Sequence, residues 1–193
     1  APTVDLLGWG TRFFAYDNDG LLDLFVANGH VYPQVDQVET GSTYRQPNQL
    51  FKNKGDGRFV SVAADAGLAI KKVSRGAAFG DYDDDGDIDV FVVELNDSPT
   101  LLRNEGGNSG HWFSVRLFGS EDNRDGVGAH IHLRAGGRSQ WRDINGAGSY
   151  LSHSDLRAHF GLGPAKRVEQ IDISWPNGST TTLRDLPVNK RLV

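Results

Sequence analysis

An acidic, glycine-centred loop that occurs twice places the tightest limit on what this chain can fold into. The second copy reads Asp81-Tyr82-Asp83-Asp84-Asp85-Gly86-Asp87-Ile88-Asp89, and the first, 66 residues upstream, reads Ala15-Tyr16-Asp17-Asn18-Asp19-Gly20-Leu21-Leu22-Asp23. A Phe leads each copy (Phe14, Phe79), and an apolar run follows it (Leu24-Phe25-Val26-Ala27; Val90-Phe91-Val92-Val93). The six carboxylates of the second copy repel one another at about 1 kcal/mol per close pair, even where water screens them. Such a cluster is tolerated if it is fully solvated, as in an ordinary Asp-rich turn, or if it is wrapped around a cation. Two copies in register favour the cation, more clearly at the second loop than at the first.

A second repeated element follows each loop. Phe51-Lys52-Asn53-Lys54-Gly55-Asp56-Gly57 matches Leu102-Arg103-Asn104-Glu105-Gly106-Gly107-Asn108 at an offset of 51, so the first unit carries about 15 extra residues between Asn28 and Gln49. That insertion, from Gly29-His30-Val31-Tyr32-Pro33 to Tyr44-Arg45-Gln46-Pro47, is polar and aromatic and reads as a contact surface. Repetition stops after Gly110, which divides the chain into 1–110 and 111–193.

In the second part apolar residues alternate: Phe113, Val115, Leu117; Val127, Ala129, Ile131, Leu133; Ile171, Ile173, Trp175. Each set points to one face, as in half-buried strands. Turn signals separate them at Gly136-Gly137, Asn145-Gly146 and Pro176-Asn177-Gly178. One helical turn is expected near Val62 to Ala66, ending at Gly67. The class is mainly β. Repeats of short strands suggest propeller blades, but a closed ring needs ~4–8 of them. Two repeats leave strand edges that other sequence, the second domain or another chain must cover. The chain therefore reads as the tail of a larger protein, or as a subunit that borrows neighbours.

Composition narrows the function. A net charge of −5 with no basic patch argues against nucleic acid, and no apolar run reaches the length of a membrane span. Cysteine is absent, which removes disulfides and thiolate metal sites; methionine is absent too, as in a processed or excised piece.

The loop spacing matches calcium, which takes ~6–8 oxygen ligands from carboxylates, carbonyls and water. In the second loop Asp81, Asp83, Asp85 and Asp89 stand at positions 1, 3, 5 and 9, with Gly86 at 6 and the Asp87 carbonyl at 7. In the first loop Asp17, Asp19 and Asp23 stand at 3, 5 and 9, with the Leu21 carbonyl at 7, but Ala15 at position 1 offers no side-chain ligand. An EF-hand would need Glu at position 12 and helices on both sides. Val92 and Val26 stand there, followed by β-type residues. Zinc would want His or Cys, and neither loop has one. Magnesium suits a crowded multi-carboxylate loop less well.

These residues resemble the FG-GAP/VCBS repeat family, whose integrin-like propeller blades carry calcium loops of the form D-x-D-x-D-G-x-x-D. Phe79-Gly80 with the second loop is a close match, and Leu50 to Phe59 looks like the connecting element of that family. From His111 onward the chain resembles an ASPIC/UnbV domain, the C-terminal module of cartilage acidic protein-like bacterial proteins. The stretches that carry this are Asn123-Arg124-Asp125-Gly126-Val127-Gly128-Ala129, Ser149-Tyr150-Leu151-Ser152, His159-Phe160-Gly161-Leu162-Gly163 and Trp175-Pro176-Asn177-Gly178. The resemblance implies an all-β chain: partial β-propeller-type repeats over 1–110, then a small β-sandwich-like ASPIC/UnbV domain over 111–193. It also implies a secreted or surface-exposed protein with Ca2+ on Asp81, Asp83, Asp85, Asp87 (carbonyl) and Asp89. The same ligands carry over to Asp17, Asp19, Leu21 (carbonyl) and Asp23, less the missing position 1.

Enzymatic readings are weaker. His130 and His132 share a strand face but lack a third ligand. Ser152, His153, Ser154 and Asp155 lie too close in sequence to form a triad, whose members usually converge from distant segments. Asp143 and Asp155 would need a glycosidase separation that the sequence does not fix. Arg124-Asp125 reads as a structural ion pair or turn, and Trp112, Trp141 and Trp175 as core rather than a sugar platform. Asn96-Asp97-Ser98, followed by Pro99, and Asn177-Gly178-Ser179 fit the glycosylation sequon, which in a bacterial protein carries no meaning. The leading expectation is a non-catalytic extracellular calcium-binding β protein, structural or adhesive. Its expected partner is a protein or glycan, with self-assembly into homo-oligomers or filaments through unpaired edges. The alternative is an enzyme or accessory protein of a biosynthetic pathway, as the UnbV name suggests.

Overall fold

The 66-residue repeat of the sequence becomes a repeated hydrogen-bonding ladder. The computed structural model describes residues 3–120 and 123–193, and no α-helix occurs among them. In the first unit β1 (Gly8–Phe14) pairs with β2 (Asp23–Asn28), while the two-residue β3 (Gln46–Pro47) lies aside. β4 (Gln49–Asn53) and β5 (Phe59–Ser61) complete an antiparallel sheet in the order β1-β2-β4-β5. In the second unit β6 (Lys71–Lys72) pairs back to β3, and β7 (Ser74–Gly80), β8 (Asp89–Glu94) and β9 (Thr100–Leu102) form the next sheet.

The two main ladders share even their irregularity. Register slips between Gly8↔Asn28 and Thr11↔Val26 in one, and between Ser74↔Glu94 and Ala77↔Val92 in the other. This register also corrects the expected Phe alignment. Phe14 lies opposite Asp23 and Gly80 opposite Asp89, so the counterpart of Phe79 is Phe13 rather than Phe14. Burial differs accordingly: Phe79 is 5% exposed and Phe13 54%.

The first core lies between the two sheets. Phe14 and Phe25 of one meet Phe79 of the other at ring separations of 5.3 and 5.8 Å. Ala27, Leu50, Ile88, Val90 and Val92 fill around them. Each fully buried side chain of this kind contributes about 1.5–3 kcal/mol. The central strands approach closely because of glycine. A Cβ on Gly10 would lie 2.5 Å from the Ala77 amide nitrogen, and one on its repeat counterpart Gly76 would lie 2.5 Å from Ser152 Oγ. The segment around Ser152 therefore sits beside the second sheet where the second sheet sits beside the first. Near Val62 the chain makes a turn with one helical bond (Ala66 N–H to Val62 O, 3.0 Å) that ends at Gly67 with φ +74°.

The second part is a sandwich. Its strands are β10 (His111–Val115), β11 (His130–Ala135), β12 (Arg138–Asp143), β13 (Ala158–Gly163), β14 (Arg167–Ser174), β15 (Thr180–Pro187) and β16 (Lys190–Leu192). One sheet runs β13-β10-β16 and the other β12-β11-β14-β15, around a separate core that includes Phe113, Val115, Ile131, Leu133, Phe160, Ile171 and Ile173. The alternation expected from sequence places these residues inward. Val127 is an exception: it lies in the turn before β11 and is 40% exposed. Gly136 and Gly137, at φ +58° and +73°, close the β11–β12 hairpin as a tight turn with two left-handed residues requires.

Candidate metal centre and the interface around it

The second acidic loop joins β7 to β8. Two left-handed residues shape it, Asp84 (φ +61°) and Gly86 (φ +98°), and their counterparts Asn18 (φ +55°) and Gly20 (φ +90°) shape the first loop alike. In the second loop one oxygen each from Asp81, Asp83 and Asp89 lie within 4.8 Å of one another. Two ligands on opposite sides of a calcium ion stand about 4.8 Å apart, at ~2.4 Å each, so the trio fits that ion. Asp83 Oδ1 is buried with no hydrogen-bond partner among the described residues. Asp89 anchors the loop, accepting the Tyr82 N–H on Oδ2 (3.0 Å) and the Asn104 N–H on Oδ1 (2.8 Å). Asp81 Oδ1 accepts the Asp85 N–H and Asp85 Oδ1 the Asp87 N–H, both at 3.1 Å. Asp87 itself is fully buried. Burial pushes the Asp81 carboxyl up, against the pull of Arg157.

The first loop repeats this scaffold but not its cluster. Asp23 accepts the Tyr16 N–H (3.2 Å) and the Asn53 N–H (2.8 Å), as Asp89 does from Tyr82 and Asn104. Asp19 Oδ1 accepts the Leu21 N–H at 2.9 Å. Position 1 is the buried Ala15. The Lys52 ammonium donates to Asp17 and lies 3.6 Å from Asp19, so a protein cation stands between the carboxylates at positions 3 and 5. Its hydrogen bond to Asp17 raises the Lys52 pKa. Burial pushes Asp23 up to about 6, beyond what its two amide donors offset. Arg103, the repeat counterpart of Lys52, pairs with Asp83 at 2.8 Å, at the edge of the second cluster. The cation before each Asn is the signal that a reading of the loops alone passes over.

Both loops face the sandwich rather than open solvent. Asn18 is fully buried: its Oδ1 meets His159 Nε2 at 2.7 Å, its amide donates to Gly86 O at 2.9 Å, and its carbonyl accepts the Gly163 N–H at 2.7 Å. Because the Asn18 amide is spent on Gly86, its oxygen is an acceptor and His159 carries its proton on Nε2. Arg138 donates to Asp19 O at 3.0 Å. A Cβ on Gly86 would fall 1.9 Å from Trp112 Nε1, so only glycine lets this loop meet the sandwich. Asp84 pairs with Arg191 and Arg157, which hold its carboxyl down at about 2, and Arg157 also donates to Asp81 O at 2.6 Å. Ser154 Oγ and the Asp155 N–H bond the two sides of Phe79, at 3.2 and 3.0 Å.

The other sequence candidates take separate partners. His130 pairs with Asp143 at 2.5 Å, whereas His132 stacks on Trp141 at 3.9 Å and faces Asp172. Ser154 and Asp155 serve the Phe79 backbone and Arg157, so the Ser/His/Asp stretch forms no relay. Trp112 stacks on His159, and Trp175 bonds Thr181. Of the ion pair or turn expected at Arg124-Asp125 the structure forms the turn, with the Gly126 N–H on Asn123 O at 3.0 Å, while Asp125 pairs with Arg116 at 2.5 Å.

Residues 16–92 match the FG-GAP-like repeat, and residues 119–193 match ASPIC and UnbV. A stretch of 51 residues is 44% identical to Cartilage acidic protein 1 of Xenopus tropicalis, covering 26% of this chain and 8% of that protein. The chain thus carries an FG-GAP-like repeat region followed by an ASPIC and UnbV region.

Proposed function

We propose that this chain is a non-catalytic extracellular β module, structural or adhesive, in which one calcium ion fixes the second acidic loop and Lys52 does the corresponding work in the first. The observation that carries this reading is the convergence of Asp81, Asp83 and Asp89, with the buried Asp83 Oδ1 left for a ligand. A divalent ion there neutralises the carboxylates and sets the β7–β8 turn. That turn presents Asp84 to Arg157 and Arg191, so the ion also steadies the seat of the sandwich. The carboxylates accept backbone amides, and Arg103 and Arg157 lie beside them, which supports a structural role.

Self-association has its own support. Phe13 and Phe59 sit exposed on the outer side of the first sheet, with rings 6.2 Å apart, and Phe91, Val93 and Leu101 are exposed on the second. Such faces suit a further blade or a second copy.

Melting in EDTA and in millimolar calcium tests the calcium reading. An ion at 100 times its dissociation constant adds about 2.7 kcal/mol, or roughly 5–10 °C for a domain of this size. Identical melting curves would remove the calcium. Light scattering tests assembly: oligomers are expected, and a monodisperse monomer at all concentrations contradicts it.

A further inference from the structure

A cavity of about 70 Å³ lies between the repeats and the sandwich, bounded by Arg12 and Phe14 on one side and Ser114, Arg142 and His159 on the other. Three buried polar atoms of this lining lack a hydrogen-bond partner among the described residues: Arg12 Nη1, Ser114 Oγ and His159 Nδ1. Buried polar groups are nearly always satisfied, so three orphans around one space mark an occupant. The volume exceeds the one-water minimum of about 10–15 Å³ several-fold.

Charge says what kind of occupant. Arg142 is half-buried and donates only to neutral acceptors: His159 O (2.9 Å), Trp141 O (2.8 Å) and Gln140 Oε1 (3.1 Å). The carboxylates that also line the cavity are engaged elsewhere: Asp155 by the Arg157 guanidinium and backbone N–H, Asp143 by His130, and Asp81 by the acidic loop. The two guanidiniums therefore share the cavity with one carboxylate whose charge reaches Arg12, that of Asp155, and both of its oxygens are bonded by Arg157. Burial, and then the charge of Arg12, bring Arg142 down to about 10; burial, then Arg142 and Arg157, bring His159 down to about 3. Water would satisfy the hydrogen bonds but leave the positive charge uncompensated.

Since His159 carries its proton on Nε2, Nδ1 is a bare acceptor, and the occupant must donate as well as accept. We propose that this cavity binds a small hydrogen oxyanion of the hydrogencarbonate or hydrogenphosphate class. Its charged oxygens accept from Arg12 and Ser114, its remaining hydroxyl donates to His159 Nδ1, and it thereby joins the two halves of the chain. Guanidinium with oxyanion is a strong charge-assisted pairing.

The test is calorimetric titration with inorganic phosphate and with hydrogencarbonate, beside melting curves in phosphate and in chloride at equal ionic strength. Calcium is held constant throughout. The wild type is expected to bind one anion per chain and to melt several degrees higher in phosphate. Arg12→Gln is expected to weaken binding at least 10-fold, to lose the phosphate shift, and to melt no lower than wild type in chloride, because the like-charged Arg142 is relieved. Arg12→Lys, which keeps the charge but not the fork, is expected to bind several-fold more weakly, and it decides the matter if the Gln variant does not fold. Three results overturn the proposal: no binding heat with either anion, an equal phosphate shift in wild type and variant, or full replacement of phosphate by chloride.

Discussion

The two acidic loops share backbone shape, position and their Asp anchor, yet they meet their charge differently. The second gathers three carboxylates with an unpartnered buried oxygen, whereas the first has lost one carboxylate at Ala15 and carries the Lys52 ammonium among the rest. The same scaffold is thus compatible with an external or an internal cation. The conserved part of the loop is the position-9 Asp with its two amides, which is architectural. The variable part is the ligand set.

Substitution of the anchors has the largest expected effect and tests the shared part. Asp23→Ala and Asp89→Ala each strand two amide donors in largely buried surroundings, at about 2–4 kcal/mol by chemical denaturation. Both should fall alike, but only Asp89→Ala should abolish the calcium-dependent rise in melting temperature. Equal loss of that rise in both would erase the distinction between the loops.

Acid should strain the first loop, whose Asn18 rests on His159. The folded His159 pKa of about 3 lies below its ordinary 6.5, so its contribution is complete above pH 6.5 and is lost as pH falls toward 3. At pH 5 the loss is about 2 kcal/mol. A His159→Gln variant should flatten this part of the pH–stability curve, and an unchanged slope would disprove the assignment.

Lys52→Gln is expected to cost about 1 kcal/mol in EDTA, since the pair is partly exposed and screened. The variant should also show a second, weaker calcium event by calorimetry, even with Ala15 in place. Asp84→Asn has the smallest expected effect, a slight destabilisation that disappears in high salt, because Asp84 is exposed to water.

Much of the fold was legible. Repeat offset, loop spacing and the two-residue alternation of Ile131, Leu133, Ile171 and Ile173 each follow from local periodicity, which a single sequence displays. The counterpart of Phe79 was legible too, since the 66-residue offset leads to Phe13, but the adjacent Phe14 satisfies the same local pattern and the ladder is what decides between them. The interface was not legible. Arg191 and Asp84 are 107 residues apart, and Asn18 and His159 are 141 apart. No spacing rule connects such pairs, and sequence cannot tell that both loops rest against a second domain. Lys52 lies between these cases: aligning it with Arg103 shows a repeated cation, but only geometry places it between Asp17 and Asp19.

The most direct test of the central claim is the calcium stoichiometry of the intact chain by isothermal titration. One ion per chain, lost in Asp83→Asn and kept in Asp17→Asn, is the predicted result. Two ions per chain, none, or a single site insensitive to Asp83→Asn would contradict it.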